Sequence, residues 1–192
     1  MIKIIVNFLM NSMINHGVVK DRYDVYLYGM DLVVSSVICL LISLSAGFIL
    51  KIPIETIIYL FCFLLLRLCS GGFHASTHLR CWLTMLILIA GLATMISYPC
   101  LSLFNITILS FLSIVIIAFF SPVENTNKPI INNLRKKLKF QSLVISIFLF
   151  CIALIVRDYY STTITLHYVN ITVALLILIE EVRKWQTCLL LY

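Results

Sequence analysis

Residues 67 to 81 read RLCSGGFHASTHLRC and lie between two long apolar runs. Cysteine and histidine together are the components of thiol catalysis: the thiolate attacks, and a nearby imidazole takes the proton. Cys81 is the thiol best placed for this. Ser76 or Thr77 can cap a helix that follows. With Thr77 as the cap, Cys81 ends the first turn, where the helix dipole favours a thiolate. Arg80 is its neighbour. Two histidines are candidates for the base. His78 precedes Cys81 by three residues and reaches it on an ordinary helix. His74 precedes it by seven, which on a continuous helix is about 10 Å along the axis. A His74–Cys81 pair therefore needs a chain that folds back before residue 78. Gly71 and Gly72 permit that fold by ending the preceding helix in a backbone shape closed to other residues. Geometry alone leaves the two histidines level.

The same residues admit other readings. His74, His78, Cys81 and Cys69 could hold zinc, although the spacing matches no strong zinc motif. A polar re-entrant loop without chemistry is a third reading. The stretch holds no carboxylate to orient an imidazole. Glu55 is about four helical turns away. Glu124, Asn125 and Asn127 belong to a later polar segment that nothing in the sequence docks here.

The elements that must position these side chains are membrane helices. Of the 192 residues, 62% are hydrophobic and 11% charged, where a soluble domain carries about 25% charged residues. Six apolar segments are expected: 31–50, 52–66, 77–98, 104–120, 141–156 and 164–179. Segments 52–66, 141–156 and 164–179 are shorter than the roughly 20 residues that span a bilayer. The expected fold is all-α, a polytopic membrane protein of about six transmembrane helices. Residues 1–30 precede them as an amphipathic interfacial helix. Lys3, Asn7, Asn11 and Asn15 form its polar stripe, and Ile2, Ile5, Val6, Leu9 and Met13 its apolar side. A loosely ordered terminus is the alternative. No secretory signal peptide is apparent. The membrane domain is expected over 31–180, with a cytoplasmic catalytic loop at 67–81 and a basic cytoplasmic loop at 121–140. Residues 181–192 form a cytoplasmic tail. His167 is placed near the outer end of the last segment, as an interface residue. The seven cysteines are odd in number and mostly within apolar runs, so no disulfide framework is expected.

Charge placement orients the chain. With the N-terminus in the cytoplasm, all Lys and Arg but Lys51 and Arg157 fall on the cytoplasmic side, as the positive-inside rule requires. The net charge of +6 is then a matter of topology and anionic headgroups, not of a nucleic-acid surface. Both termini and both polar loops face the cytoplasm of the cell membrane.

Arg67, Gly71, Gly72, His74, Ala75 and Cys81, with PVENTNKP (122 to 129) after the fourth segment, resemble the accessory gene regulator B (AgrB) family. The resemblance covers roughly residues 30 to 180. It implies a membrane cysteine endopeptidase of peptide quorum sensing, acting at the cytoplasmic face as a homodimer and without a metal or other cofactor. Such an enzyme removes the C-terminal tail of a short AgrD-like propeptide through an acyl-enzyme thioester, on the way to a cyclic thiolactone or lactone. The resemblance makes Cys81 the nucleophile and His74 the base, with Arg67, Gly71 and Gly72 in support. It prefers His74 over His78, which the motif does not require.

The acidic tail of such a propeptide would suit Arg80 and the cluster Arg135, Lys136, Lys137 and Lys139. That cluster would equally serve to set topology alone. Two other function classes stand beside the peptidase. A small peptide transporter would carry polar residues within its spans, and a non-catalytic membrane scaffold would not need Cys81.

Overall fold

A computed structural model describes residues 2–15, 23–71, 77–98, 101–123 and 132–189. Among them the chain forms seven helices: α1 (Ile2–Asn15), α2 (Tyr23–Ile49), α3 (Pro53–Ser70), α4 (His78–Ser97), α5 (Leu103–Phe120), α6 (Asn132–Ile155) and α7 (Tyr160–Leu189). Six are long and apolar enough to cross a membrane, and α1 is the short helix before them. Large apolar side chains such as Phe48, Phe61, Leu68, Phe104 and Phe119 cover the outside. Such a surface suits lipid and not water. The chain is a multi-pass membrane protein.

The short apolar segments become adequate helices by recruiting polar turns. The expected segment 141–156 begins in the structure at Asn132, so Arg135, Lys136, Lys137 and Lys139 are the exposed first turns of α6 and not a loop. Long basic side chains there can reach the headgroups while their stems lie on apolar surface. The last segment lengthens at both ends, and the helix continues to Leu189 through much of the expected tail. At the other terminus α1 stops at Asn15, and residues 23–30 already belong to α2. α3 begins with Pro53 in its first turn, where the missing N–H loses nothing.

α7 is the hub, packed against α3, α4, α5 and α6. Its Val169, Val173 and Ile177 are buried among Tyr59 and Leu66 of α3, Ile89 and Leu92 of α4, and Ile106 and Ile117 of α5. α2 lies at the edge, against α1, α3 and α4. Val6 and Met10 of α1 meet Val34 of α2 in a separate small cluster, so the apolar side of α1 is turned at least partly onto protein. His167 departs from its expected place. It is 1% exposed, with Nε2 3.4 Å from Thr107 Oγ1 and its ring edge-on to Phe150. Thr163, His167 and Asn170 stand one turn apart along α7, which aims the ring inward; its Nδ1 has no hydrogen-bond partner among the described residues.

Candidate active site

The end of α3, the start of α4 and the middle of α2 meet around Cys81. α3 ends at Gly71, whose φ of +68° lies in the left-handed region and whose N–H bonds to Arg67 O at 3.0 Å. The loop after α5 closes on this turn: Val123 N–H donates to Ser70 O at 3.0 Å. A Cβ on Gly71 would run into the Val123 carbonyl oxygen. Two independent demands, positive φ and close backbone approach, thus fall on one glycine. The contact docks the start of the second polar segment, at Val123, onto the first, which nothing in the sequence showed. Ser121 fixes the loop from the other side, with its Oγ 2.8 Å from Ser142 Oγ of α6. Gly72, His74, Glu124, Asn125 and Asn127 lie outside the described residues.

α4 starts as expected at a Thr77 cap, with Oγ1 accepting from Arg80 N–H at 3.4 Å. That places Cys81 at the end of the first turn, exposed. The thiol of Cys39 on α2 lies beside it, and the Arg67 guanidinium and the His78 imidazole act on its sulfur electrostatically. Cations and a donor beside a sulfur favour the nucleophilic thiolate. Arg67 comes from the last turn of α3, where its charge also complements the helix C-terminus. Its guanidinium lies over the Phe63 ring, 5.8 Å from the centroid, and Nη1 donates to Gly71 O at 3.4 Å. Arg67 also interacts electrostatically with Glu180 of α7. Glu180 is 3% exposed, and its Oε2 has no hydrogen-bond partner among the described residues.

His78 is committed elsewhere. Its Nε2 lies 3.1 Å from Asp31 Oδ2, and its Nδ1 2.8 Å from Ser35 Oγ. A neutral ring donates to Asp31 and accepts from the Ser35 hydroxyl; an imidazolium donates to both. Either way both nitrogens are occupied, and neither is left to take a proton from Cys81. As to zinc, no three metal-ligating side chains come together among the described residues.

Of the expected site residues, Arg67, Gly71 and Cys81 converge. Arg80 is exposed beside them, and Arg135, Lys136, Lys137 and Lys139 lie along the exposed start of α6. Sequence reasoning missed Asp31, Ser35, Cys39 and Glu180. The first three recur every four residues, a helical stripe that was there to be read. Nothing in the sequence said that α4 faces it.

The chain matches accessory gene regulator B over residues 2–190. It belongs to the AgrB family. It is 30% identical over 152 residues to AgrB-like protein 2 of Clostridium perfringens, covering 74% of this chain and 71% of that one. It is 27% identical over 148 residues to accessory gene regulator protein B of Staphylococcus aureus, covering 77% and 78%. The corresponding protein of Staphylococcus intermedius is 30% identical over 133 residues, covering 69% and 71%. No solved structure matches the chain. Family and architecture agree on a multi-pass membrane protein.

Proposed function

We propose that this chain is a membrane cysteine endopeptidase that removes the C-terminal tail of a short AgrD-like propeptide. Membership of the AgrB family supports a role in accessory gene regulator quorum sensing. One observation supports the finer reading: the exposed Cys81 ends the first turn of α4 beside the Cys39 thiol of α2, with Arg67 and His78 acting on its sulfur electrostatically. An inert buried cysteine has no such surroundings.

In this mechanism the Cys81 thiolate attacks the carbonyl carbon of the scissile peptide bond. The tetrahedral intermediate collapses, the C–N bond breaks, and the tail leaves as an amine that takes up a proton. The N-terminal part remains as a thioester on Cys81. A thiol or hydroxyl of the same propeptide then attacks the thioester, closing a thiolactone or lactone and freeing Cys81. A site at the membrane surface favours this internal attack over water. His74 is the base, with the family resemblance behind it. The double engagement of His78 supports that choice, since it leaves that ring no free lone pair. Arg67, Gly71 and Gly72 support the nucleophile's turn. Arg80, Arg135, Lys136, Lys137 and Lys139 attract the acidic tail. The site faces the cytoplasm, both termini are cytoplasmic, and the enzyme is a homodimer, as the charge pattern and the resemblance imply.

Co-expression of a cognate propeptide with the wild type and with single variants at matched membrane levels tests this, read by peptide mass. Cys81→Ser and His74→Ala should leave the tail in place, and His78→Ala should still remove it, at a reduced rate. Cleavage that survives Cys81→Ser would instead favour a scaffold or exporter.

A further inference from the structure

Cys81 sits in the part of α4 least able to hold its own position. The bond from Arg80 N–H to the Thr77 cap that opens the helix is long at 3.4 Å. The first turn of a helix lacks intrahelical partners for its N–H groups and frays readily. A nucleophile displaced by 1 Å can lose about a hundredfold in rate. Something must therefore fix this turn.

α2 supplies the fixing groups. Asp31, Ser35 and Cys39 stand one turn apart on one face of α2, and His78 and Cys81 stand one turn apart on one face of α4. The contacts run in register. Asp31 and Ser35 take the two nitrogens of His78, and Cys39 follows one turn on, beside Cys81. Two contacts to one planar ring fix both its place and its rotation.

We propose that Asp31 and Ser35, acting through His78, position the Cys81 nucleophile, so that α2 forms the second wall of the active site. His78 and its two α2 partners are positioning residues, not catalytic ones. The proposal rests on the reading of Cys81 as the nucleophile. The side chains of the His78–Asp31 pair are 43% and 35% exposed. Such pairs add little to fold stability, so their loss should appear in the chemistry of the thiol and not in unfolding.

The test uses the full-length protein in membranes and two readouts. One is the rate of propeptide tail removal. The other is alkylation of Cys81 by iodoacetamide, followed by mass spectrometry across a range of pH. The ionisable groups bearing on that pH profile are Asp31 and Cys39 of α2, Arg67 of α3, and His78 and the adjacent Arg80 of α4. Asp31→Ala and His78→Gln should each slow tail removal by about tenfold, below the limit for a misplaced nucleophile, and should each shift the alkylation profile. The double variant should be no slower than either single one, because both remove the same contact. Asp31→Asn, whose amide oxygen still accepts from Nε2–H, should recover most of the rate. Unchanged rates and profile in Asp31→Ala would overturn the proposal. So would a lowered thermal midpoint in detergent with an unaltered profile, which would reduce the contact to a structural brace. If Cys81→Ser still removed the tail, the peptidase reading would fall, while the alkylation profiles would continue to decide the positioning claim.

Discussion

Around Asn170 and around Cys81 the chain gathers similar groups, a histidine, serine hydroxyls and a strong polar partner, with opposite consequences. In the first region the polar atoms are enclosed by the bundle. Asn170 is fully buried, accepts from Ser146 Oγ at 2.9 Å, and donates to Ser146 O at 3.2 Å and Ser110 Oγ at 3.4 Å. His167 and Thr107 lie one turn away, and Tyr59 and Thr172 continue the seam at 3.2 Å. These groups tie α5, α6 and α3 to α7. In the second region the polar groups ring a sulfur that remains exposed. Buried polar groups that satisfy one another hold helices together. Polar groups that converge on an exposed nucleophile prepare chemistry. The difference also speaks against the transporter reading, because the polar seam is a set of mutual bonds between helices.

The largest effect should come from Cys81→Ser. Tail removal should stop, while the thermal midpoint in detergent stays at the wild-type value, because an exposed side chain is lost to the chemistry alone. A midpoint that fell with the activity would make the corner around Cys81 as structural as the seam around Asn170. Gly71→Ala should come next. A φ of +68° with a ψ of −145° is a backbone shape nearly confined to glycine and costs other residues about 1–3 kcal/mol, and the added methyl meets the Val123 carbonyl oxygen. The α3 turn and the docked 121–123 loop must then part. Tail removal should fall by more than about tenfold, the loss that 1.4 kcal/mol represents. A Gly71→Ala enzyme with wild-type activity would show that this junction does not hold the site.

Asn170→Leu probes the other region. It leaves Ser110 and Ser146 without their shared partner, and interhelical hydrogen bonds in membranes are worth roughly 0.6 kcal/mol, up to about 2. The thermal midpoint should fall, and the alkylation rate of Cys81 in the folded fraction should not move. A change in Cys81 reactivity would mean that the seam and the site are coupled, and the contrast between them would fail.

The two regions were also unequally legible. Composition and segment length were enough for an all-α membrane fold with six long helices, because apolar runs have few other uses. Helix ends were less legible. Arg135 to Lys139 looked like loop, since charge alone does not tell a solvated loop from a helix emerging from lipid. The chemistry-bearing stretch stood out because its residue types are costly in a membrane. Its surroundings did not. Asp31 and Cys39 are more than forty residues from Cys81, and Glu180 almost a hundred. Contacts at that separation depend on which helices are neighbours, which periodicity does not encode. His78 shows the consequence: spacing left it level with His74 as a base, the family resemblance preferred His74, and nothing in the sequence showed the two α2 partners that occupy the His78 ring. His167 shows the reverse error, since one polar residue in an apolar segment does not reveal whether it faces lipid, water or protein.

The smallest effect, and the finest test of the contrast, concerns Cys39. In the seam, a hydroxyl or amide lost from one helix leaves a partner stranded. At the site, the Cys39 thiol lies beside an exposed Cys81 whose sulfur has other favourable neighbours in Arg67 and His78. A neutral hydrogen bond contributes about 0.5–1.5 kcal/mol, and a thiol is a weak donor. Cys39→Ala should therefore slow alkylation of Cys81 by only about threefold, with little change in the thermal midpoint. Cys39→Ser restores a stronger donor at the same position and should return the rate to wild type or above it. If Ser and Ala behave alike, the thiol serves as filling between α2 and α4, and the nucleophile is tuned by the electrostatics of Arg67 and His78 alone. If Ser rescues, α2 contributes a donor to the reacting atom as well as a wall, and the two regions differ in what their hydrogen bonds are for: one set holds helices in place, and the other sets the charge of a sulfur.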